Sequence, residues 1–359
     1  MRILQIGSDR SKRGILYPGS PAVNRQKKYA AQFGKLDIIG FSLKTDEAQS
    51  FEDGTLHVYP TNSSWKLFYP FNAVSIAKKL PKPDVISVQD PFEAGLIGWF
   101  IAKRLGAPLH AQVHTDFLSD GYKKLSPLNR LRTILAGFVL CRASGVRVVS
   151  QKIKEGIQKR YNLHVPITVL PVFADVEKIR QSEADMTLRE RFARFTTKAL
   201  VVSRLEPEKN VTLAIEAFAQ SAPNDACLII IGDGSEEKAL EMFAKRSGLA
   251  DRVFFEGTRD ATNIYLLVDI VLVTSKYEGY GLVIIEALAA GKPVLSTDVG
   301  IAREAGAIVS NEKDFAADLK KWFENGPREM HLKNYPYRNE SDYIQKYCAD
   351  LIACDKHKH

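Results

Sequence analysis

The sequence predicts an α/β protein built from doubly wound parallel sheets. Three observations carry this. Short apolar runs of strand length alternate with helix-patterned stretches through most of the chain. Many of these runs end in glycine, serine or another turn residue, at the strand ends where such sheets bind their ligands. The chain has 359 residues, enough for two domains with a core each.

In the first half the expected strands are Ile3–Gly7, Leu36–Phe41, Thr55–Tyr59, Asp84–Val88, Pro108–Val113, Gly145–Val149 and Ile167–Leu170. Helical spacing falls between most of them, at Ala22–Phe33, Ala73–Leu80 and Phe92–Leu105, with Ser20-Pro21 as N-cap and first position of the first helix. Pro171 to Val176 follows a strand, and the polar stretch Lys178–Arg194 leads into a second domain. There a strand ends at Ser203 and a helix starts near Asn210. Further strands follow at Ile229–Ile231, Phe254–Phe255, residues 269–273, Pro293–Leu295 and Ile308–Val309. Two tail helices are expected, Asp314–Glu324 and Glu340–Ala353. The second carries an apolar stripe of Tyr343, Ile344, Tyr347 and Leu351. The expected domains are 1–174, 175–336 and a C-terminal segment 337–359, whose end, Lys356-His357-Lys358-His359, reads as a disordered tail.

The composition, 45% hydrophobic and 26% charged, is that of a globular protein. Cys141, Cys227, Cys348 and Cys354 form no C-x-x-C pair and no zinc spacing, so reduced thiols are expected. The opening Met1-Arg2-Ile3-Leu4-Gln5-Ile6 reads as a strand, so no signal peptide is expected, and no apolar run is long enough to span a bilayer. The expected location is cytoplasmic. Charge is uneven: residues 1–175 hold 25 Lys/Arg against 13 Asp/Glu, and residues 176–359 hold 25 against 29. The basic half implies a polyanionic surface or substrate.

The chain is organised around Glu278-Gly279-Tyr280-Gly281-Leu282, running on to Glu286 and Ala290-Gly291-Lys292-Pro293. An apolar strand precedes the glycine turn and a helix follows it. Such a junction offers free N–H groups and the positive end of the helix dipole to an anion. Glu278 falls on the loop and Glu286 about a turn into the helix, so both can edge one pocket. Carboxylates beside a phosphate site fit a nucleotide sugar. The same residues also describe an ordinary βα unit with two solvated acids.

Glu278 to Glu286 resembles the E-x7-E motif of the family 4 retaining glycosyltransferases, and Ala-Gly-Lys-Pro-Val after it is similar to that family too. The resemblance covers residues 195–300 well and the first half loosely. It implies the GT-B fold: two Rossmann-like domains facing a cleft, with the last helix crossing back to the first domain. It also implies a nucleoside diphosphate sugar, UDP- or GDP-linked, as donor, and no cofactor. Arg204 and Lys209 resemble the family's pair on the donor diphosphate. Glu286 is implied on the ribose hydroxyls, and Glu278 on the sugar. Gly279, Tyr280, Gly281 and Leu282 are implied around the donor, with Gly232 and Gly257 at neighbouring strand ends. His114 follows its strand where the family often places a histidine against the donor sugar. Read alone, His114-Thr115-Asp116 is also a plain polar turn, and His110 reads as structural. Gly14 and Gly19 replace the family's Gly-Gly pair, and a simple flexible loop fits them equally. After Gly300 the chain is shorter than the family pattern, which is expected to alter the outer edge of the donor pocket.

From Gly121 to Lys154 there are eight cations and no acid. Lys123, Lys124, Arg130 and Arg132 accompany an apolar helical face of Leu128, Leu131, Ile134, Leu135, Phe138 and Val139. That pattern fits an anionic membrane surface, with peripheral binding to the inner face of the cytoplasmic membrane. It also fits a core helix with a solvated basic edge, with Arg142 and Arg147 solvated at the sheet's edge. No nucleic-acid motif accompanies the charge.

The function these readings converge on is hexosyl transfer to a lipid-linked or saccharide acceptor in cell-envelope glycan synthesis. A nucleotide-sugar-binding scaffold subunit without transfer activity and a sugar-nucleotide epimerase share the donor features. A glycogen-type phosphorylase would need a pyridoxal lysine and a much longer chain. No D-x-D motif occurs and no metal site is expected, so turnover should survive EDTA. Loss of turnover in EDTA that Mg²⁺ or Mn²⁺ restores would overturn this expectation.

Overall fold

The computed structural model describes residues 1–8 and 14–356. Asp9 and Arg10 of the first loop and the tail 357–359 lie outside the described residues. The chain forms two compact units. One is Met1–Leu118, Ser126–Pro171 and Tyr337–His359; the other is Ser119–Leu125 and Val172–Pro336.

The first unit holds an eight-stranded sheet. Its strands are β1 (Arg2–Gly7), β2 (Lys35–Gly40), β3 (Phe51–Asp53), β4 (Leu56–Pro60), β5 (Val85–Val88), β6 (Leu109–Val113), β7 (Gly145–Val148) and β8 (Ile167–Val169). Their spatial order is β3-β4-β2-β1-β5-β6-β7-β8. All neighbours are parallel except β3, which pairs antiparallel with β4. The sequence pattern missed β3: it is three residues long, two of them acidic, and it sits at the sheet edge, where charge discourages further pairing. Helix Pro21–Phe33 starts as expected: Val23 N donates to Ser20 Oγ at 3.1 Å, and Pro21 is the first residue.

Strands buried on both faces usually read as unbroken apolar runs. This sheet departs from that rule, because Asp37, Ser87, His110, Gln112 and Arg147 lie inside it. The final helix, Glu340–Lys356, supplies partners to His110, Gln112 and Arg147, while Asp37 pairs with Arg2 at 3.1 Å. The Arg147 guanidinium donates to Leu170 O and to Gln112 Oε1, each at 3.0 Å, and to Tyr343 OH at 3.1 Å. It also lies 4.7 Å from the centre of the Tyr347 ring. His110 Nε2 is 2.9 Å from Asp350 Oδ2, and its Nδ1 is 3.1 Å from Ser87 Oγ. The expectation of a solvated Arg147 is therefore corrected: the side chain is buried, and its donors are used by backbone carbonyls and the final helix.

The second unit has six parallel strands: β9 (Thr197–Val202), β10 (Ala226–Ile231), β11 (Val253–Phe255), β12 (Ile270–Val273), β13 (Val294–Thr297) and β14 (Ile308–Ser310). Their order is β11-β10-β9-β12-β13-β14. Its core is apolar, with Leu228, Ile230, Ile270 and Leu272 packing on Phe218 and Trp322. The stretch 178–194, read as a polar lead-in, contains helix Met186–Arg191, capped by Asp185 through Leu188 N. Among the described residues no helix is long and apolar enough to cross a membrane.

Arg147→Met should destabilise the protein by roughly 2–4 kcal/mol, because it strips several buried acceptors of a charged donor. Urea unfolding monitored on the first unit checks this, and an unchanged midpoint would show that the buried cation is dispensable.

Candidate functional site

In the second unit the strand order reverses between β9 and β12. Ligands of doubly wound sheets sit at the carboxyl ends of strands at such a reversal. The loops after these two strands are tied together. Thr274 Oγ1 donates to Lys209 O at 3.0 Å, and Lys276 N donates to Glu208 O at 2.8 Å. Beside the tie, Lys209 Nζ pairs with Glu278 Oε1 at 2.5 Å, and Ser275 Oγ donates to the same oxygen at 2.7 Å. Glu278 thus has one oxygen filled, while Oε2 has no protein hydrogen bond among the described residues. Arg204 does not join Lys209. Its guanidinium is 67% exposed and pairs with Glu208 Oε1 at 2.7 Å.

Two helices begin at this point, Val211–Ser221 and Leu282–Ala289, and neither has a side-chain cap. Their cap residues, Asn210 and Gly281, are left-handed, with φ of 50° and 95°. Five helices elsewhere are closed by Ser20, Ser126, Ser150, Asp175 and Asp185, while others, among them Glu93–Leu105 and Phe315–Asn325, also lack a side-chain cap. Open N-terminal N–H groups and a helix dipole favour an anion. Gly281 is required by its φ, a region that costs residues with a Cβ.

Gly232 has a packing requirement of its own. A Cβ there would stand 1.8 Å from Ser203 O, so the glycine serves packing of the two loops against each other. Its N–H donates to Gly257 O at 2.9 Å, which joins the ends of β10 and β11. The glycine pair therefore aligns the loops beside the site. Helix Glu237–Arg246 has no side-chain cap, and Ser235 before it is held by Glu206.

Glu286 receives a hydrogen bond from Tyr265 OH at 2.7 Å. Burial, opposed by that bond and reinforced by Asp260, raises its pKa above the usual carboxylate value. Burial beside Glu286 raises the Tyr265 hydroxyl as well, so it remains a donor. Gly279 and Tyr280 are buried, while Leu282 is exposed. The short connection after Gly300 folds back on the turn, with Ile301 N donating to Tyr280 O at 3.0 Å. A cavity of about 450 Å³ opens beside it, lined by Ser275, Lys276, Thr297, Asp298 and Arg303 among others. Ser275, Glu208 and Tyr265 escaped the sequence reading. Each acts through a partner distant in sequence or through a common residue type, and no motif marks them. Among the described residues no three His, Cys, Asp or Glu side chains gather as metal ligands.

In the first unit, His114 stands one residue past β6 and is half-buried. Gln112 orients it. The Gln112 amide nitrogen donates to Ser87 Oγ and Tyr347 OH, each at 2.9 Å, and its oxygen accepts from Arg147. That amide orientation is fixed, so His114 Nε2, 3.2 Å from Gln112 Oε1, must be the protonated nitrogen. Nδ1 is left as an acceptor. Burial, then Arg147, Arg25 and His110, lower the His114 pKa from 6.5 to about 3. Gly19, with φ of 75°, precedes the Ser20 cap, and Ser20 Oγ donates to Gly14 O at 2.7 Å. Asp90, which the sequence reading passed over, follows β5 and accepts from Phe92 N at 2.8 Å; burial raises its pKa to about 6. The basic stretch 121–154 is divided: Lys123 and Lys124 fall in the second unit, and Arg130 and Arg132 in the first.

An exposed Arg204, a half-buried Lys209 paired with Glu278 and two open helix ends gather at the strand-order reversal, where doubly wound domains bind their ligands. The family model described as Glycosyltransferase Family 4 matches residues 31–178, and Glycosyl transferases group 1 matches residues 188–339. The chain belongs to the family 4 glycosyltransferases, and its fold is GT-B. It is 26% identical over 255 residues to 2-deoxystreptamine glucosyltransferase of Streptomyces kanamyceticus, covering 67% of this chain and 65% of that protein. It is 26% identical over 247 residues to alpha-monoglucosyldiacylglycerol synthase of Streptococcus pneumoniae, covering 62% and 54%. The chain thus spans somewhat more than half the length of these two curated relatives. Anabaena HepE, solved in complex with UDP-glucose, superposes with a TM-score of 0.70 at 22% identity, over 100% of this chain and 97% of that one.

His114 should stay neutral across the physiological range. The unfolded ring binds a proton near 6.5 and the folded ring near 3. Stability from this group is therefore complete above about pH 6.5 and is lost as pH falls toward 3. Histidine NMR should show one ring, removed by His114→Gln, that does not titrate between about pH 5 and 8. A midpoint near the ordinary value would contradict the assignment.

Proposed function

We propose that this protein is a retaining glycosyltransferase that moves a hexosyl group from a nucleoside diphosphate sugar to a hydroxyl of a saccharide or lipid-linked acceptor. The observation that carries the reading is the Lys209–Glu278 pair, held at the strand-order reversal of the second unit between two helices without side-chain caps. The donor diphosphate takes the positive charge of Lys209 and Arg204 and the open N–H groups of the helix after Gly281. Positive charge fixed where the leaving group's negative charge develops is commonly the largest catalytic term. Glu278 offers Oε2 to sugar hydroxyls and its charge to the sugar ring as that ring becomes electron-poor. Glu286, steadied by Tyr265, takes the ribose hydroxyls. His114 offers neutral Nδ1 as an acceptor to a donor-sugar hydroxyl. The acceptor hydroxyl attacks the anomeric carbon from the face the diphosphate leaves.

The relatives support a hexosyl donor: one is named a glucosyltransferase, and the HepE structure contains UDP-glucose. They also support a saccharide-like or lipid acceptor, since one is named for 2-deoxystreptamine and the other as the synthase of a glucosylated diacylglycerol. Cell-envelope glycan synthesis is the pathway we infer from the basic first half.

Incubation with a panel of UDP- and GDP-sugars should release nucleoside diphosphate in the presence of acceptor. Interconversion of the sugar without release would identify an epimerase, and binding without either reaction a scaffold subunit. Lys209→Ala and Arg204→Ala should each weaken nucleoside diphosphate binding by about 2–3 kcal/mol, the value of a charge-assisted contact. Calorimetry with unchanged affinity in both variants would remove them from the donor site.

A further inference from the structure

Fourteen large apolar side chains are exposed among the described residues, and nine of them lie on one layer of the first unit. The layer consists of helix Tyr69–Lys79 with the short turn Lys66–Phe68 before it, helix Glu93–Leu105 and helix Pro127–Leu140. The middle helix packs against the other two. Four of the nine fall within seven residues: Trp65 is 71% exposed, Leu67 82%, Phe68 48% and Phe71 71%. The rings of Phe68 and Phe71 lie 6.3 Å apart, and Trp65 and Leu67 are exposed on the same short segment. Soluble surfaces carry single exposed apolar residues routinely; a contiguous group marks a contact surface.

Charge identifies the partner. Segments 65–79, 93–105 and 127–142 hold eight Lys/Arg and one acid, Glu93, which pairs with Arg132 at 2.8 Å. Several cations lie over the layer's aromatic rings: Lys103 is 5.6 Å from the Trp99 ring centre, Arg104 5.8 Å from Phe100 and Arg142 3.7 Å from Phe138. Long stems covering apolar surface, with charged heads at its rim, suit the boundary between acyl chains and headgroups. A protein partner would meet a surface rich in lysine, a residue depleted from protein interfaces.

We propose that this helix layer docks on an anionic lipid surface, with Trp65, Leu67, Phe68 and Phe71 entering the headgroup region and the surrounding Lys/Arg holding the charged lipids. The docking surface is centred on residues 65–71 rather than on the basic stretch 121–154. That stretch is split between two units and has Arg147 buried, and it contributes only its helix Pro127–Leu140 and Arg142. The proposal does not depend on the donor-site reading. Most of the attraction is electrostatic and reversible, and the aromatic cluster gives it depth.

The test is sedimentation of the full chain with phosphatidylcholine vesicles, with and without phosphatidylglycerol, in low and high salt. The protein should pellet only with phosphatidylglycerol, and less so in high salt. The triple variant Trp65→Ser, Leu67→Ser, Phe71→Ser should lose about tenfold or more in vesicle affinity. These side chains are exposed, so its circular dichroism should match the parent. Neutralising Lys66, Lys103 and Arg104 to Gln should weaken binding and flatten its salt dependence. Tryptophan emission should shift to shorter wavelength on vesicles in the parent and not in the triple variant. Parent protein that stays in solution with phosphatidylglycerol vesicles, or a triple variant that binds like the parent, would overturn the proposal. UDP affinity measured on the same samples scores the donor site separately.

Discussion

A guanidinium cannot lie inside a protein unless its donors are filled, and the first unit is assembled around that requirement. Arg147 enters the sheet on β7, where an apolar residue would ordinarily stand. Its hydrogen bonds reach the chain after β8, Gln112 on β6 and Tyr343 on the final helix. A helix from the C-terminal end of the chain is thereby bound to a sheet made from its first half. Removing any of these partners would leave buried polar groups unsatisfied, which costs more than the bonds themselves contribute. The same connections extend to His114, because Gln112 accepts from Arg147 on one side and orients the imidazole on the other.

The second unit solves a different problem. Its core is almost wholly apolar and needs no polar network. Polar chemistry lies at strand ends: at the reversal between β9 and β12, and after β11, where buried Glu256 pairs with Arg191 and Arg259. At the reversal the chain leaves two helix starts without side-chain caps, a local cost that ordered ligand contacts can offset. Lys209 and Glu278 neutralise each other, and Arg204 rests on Glu208. Neither Lys209 nor Glu278 is thus left as an unpaired buried charge, which would be costly.

Parts of this were legible in the sequence because they are local. The period of the apolar runs announces parallel strands with intervening helices, and Ser20-Pro21 announces a helix start. Glu278 to Glu286 was readable because the turn, the helix and both acids lie within nine residues. The exposed aromatics at 65–71 were equally visible as letters. A run such as Trp-Lys-Leu-Phe-Tyr-Pro-Phe reads the same whether it lines a core or faces water, and the pattern alone favours the core.

The sequence by itself determined the α/β class, the strand-to-helix junction with its glycines, and the candidate donor residues, since each depends on neighbours a few positions away. The tertiary structure decided which of these meet. It joined Lys209 to Glu278 across 69 positions and gave Arg204 to Glu208 instead. It buried Arg147 against the final helix and assigned Gly232 to packing against Ser203. These outcomes rest on strand order, because residues far apart in the chain become neighbours only after the sheet has chosen which edges to pair.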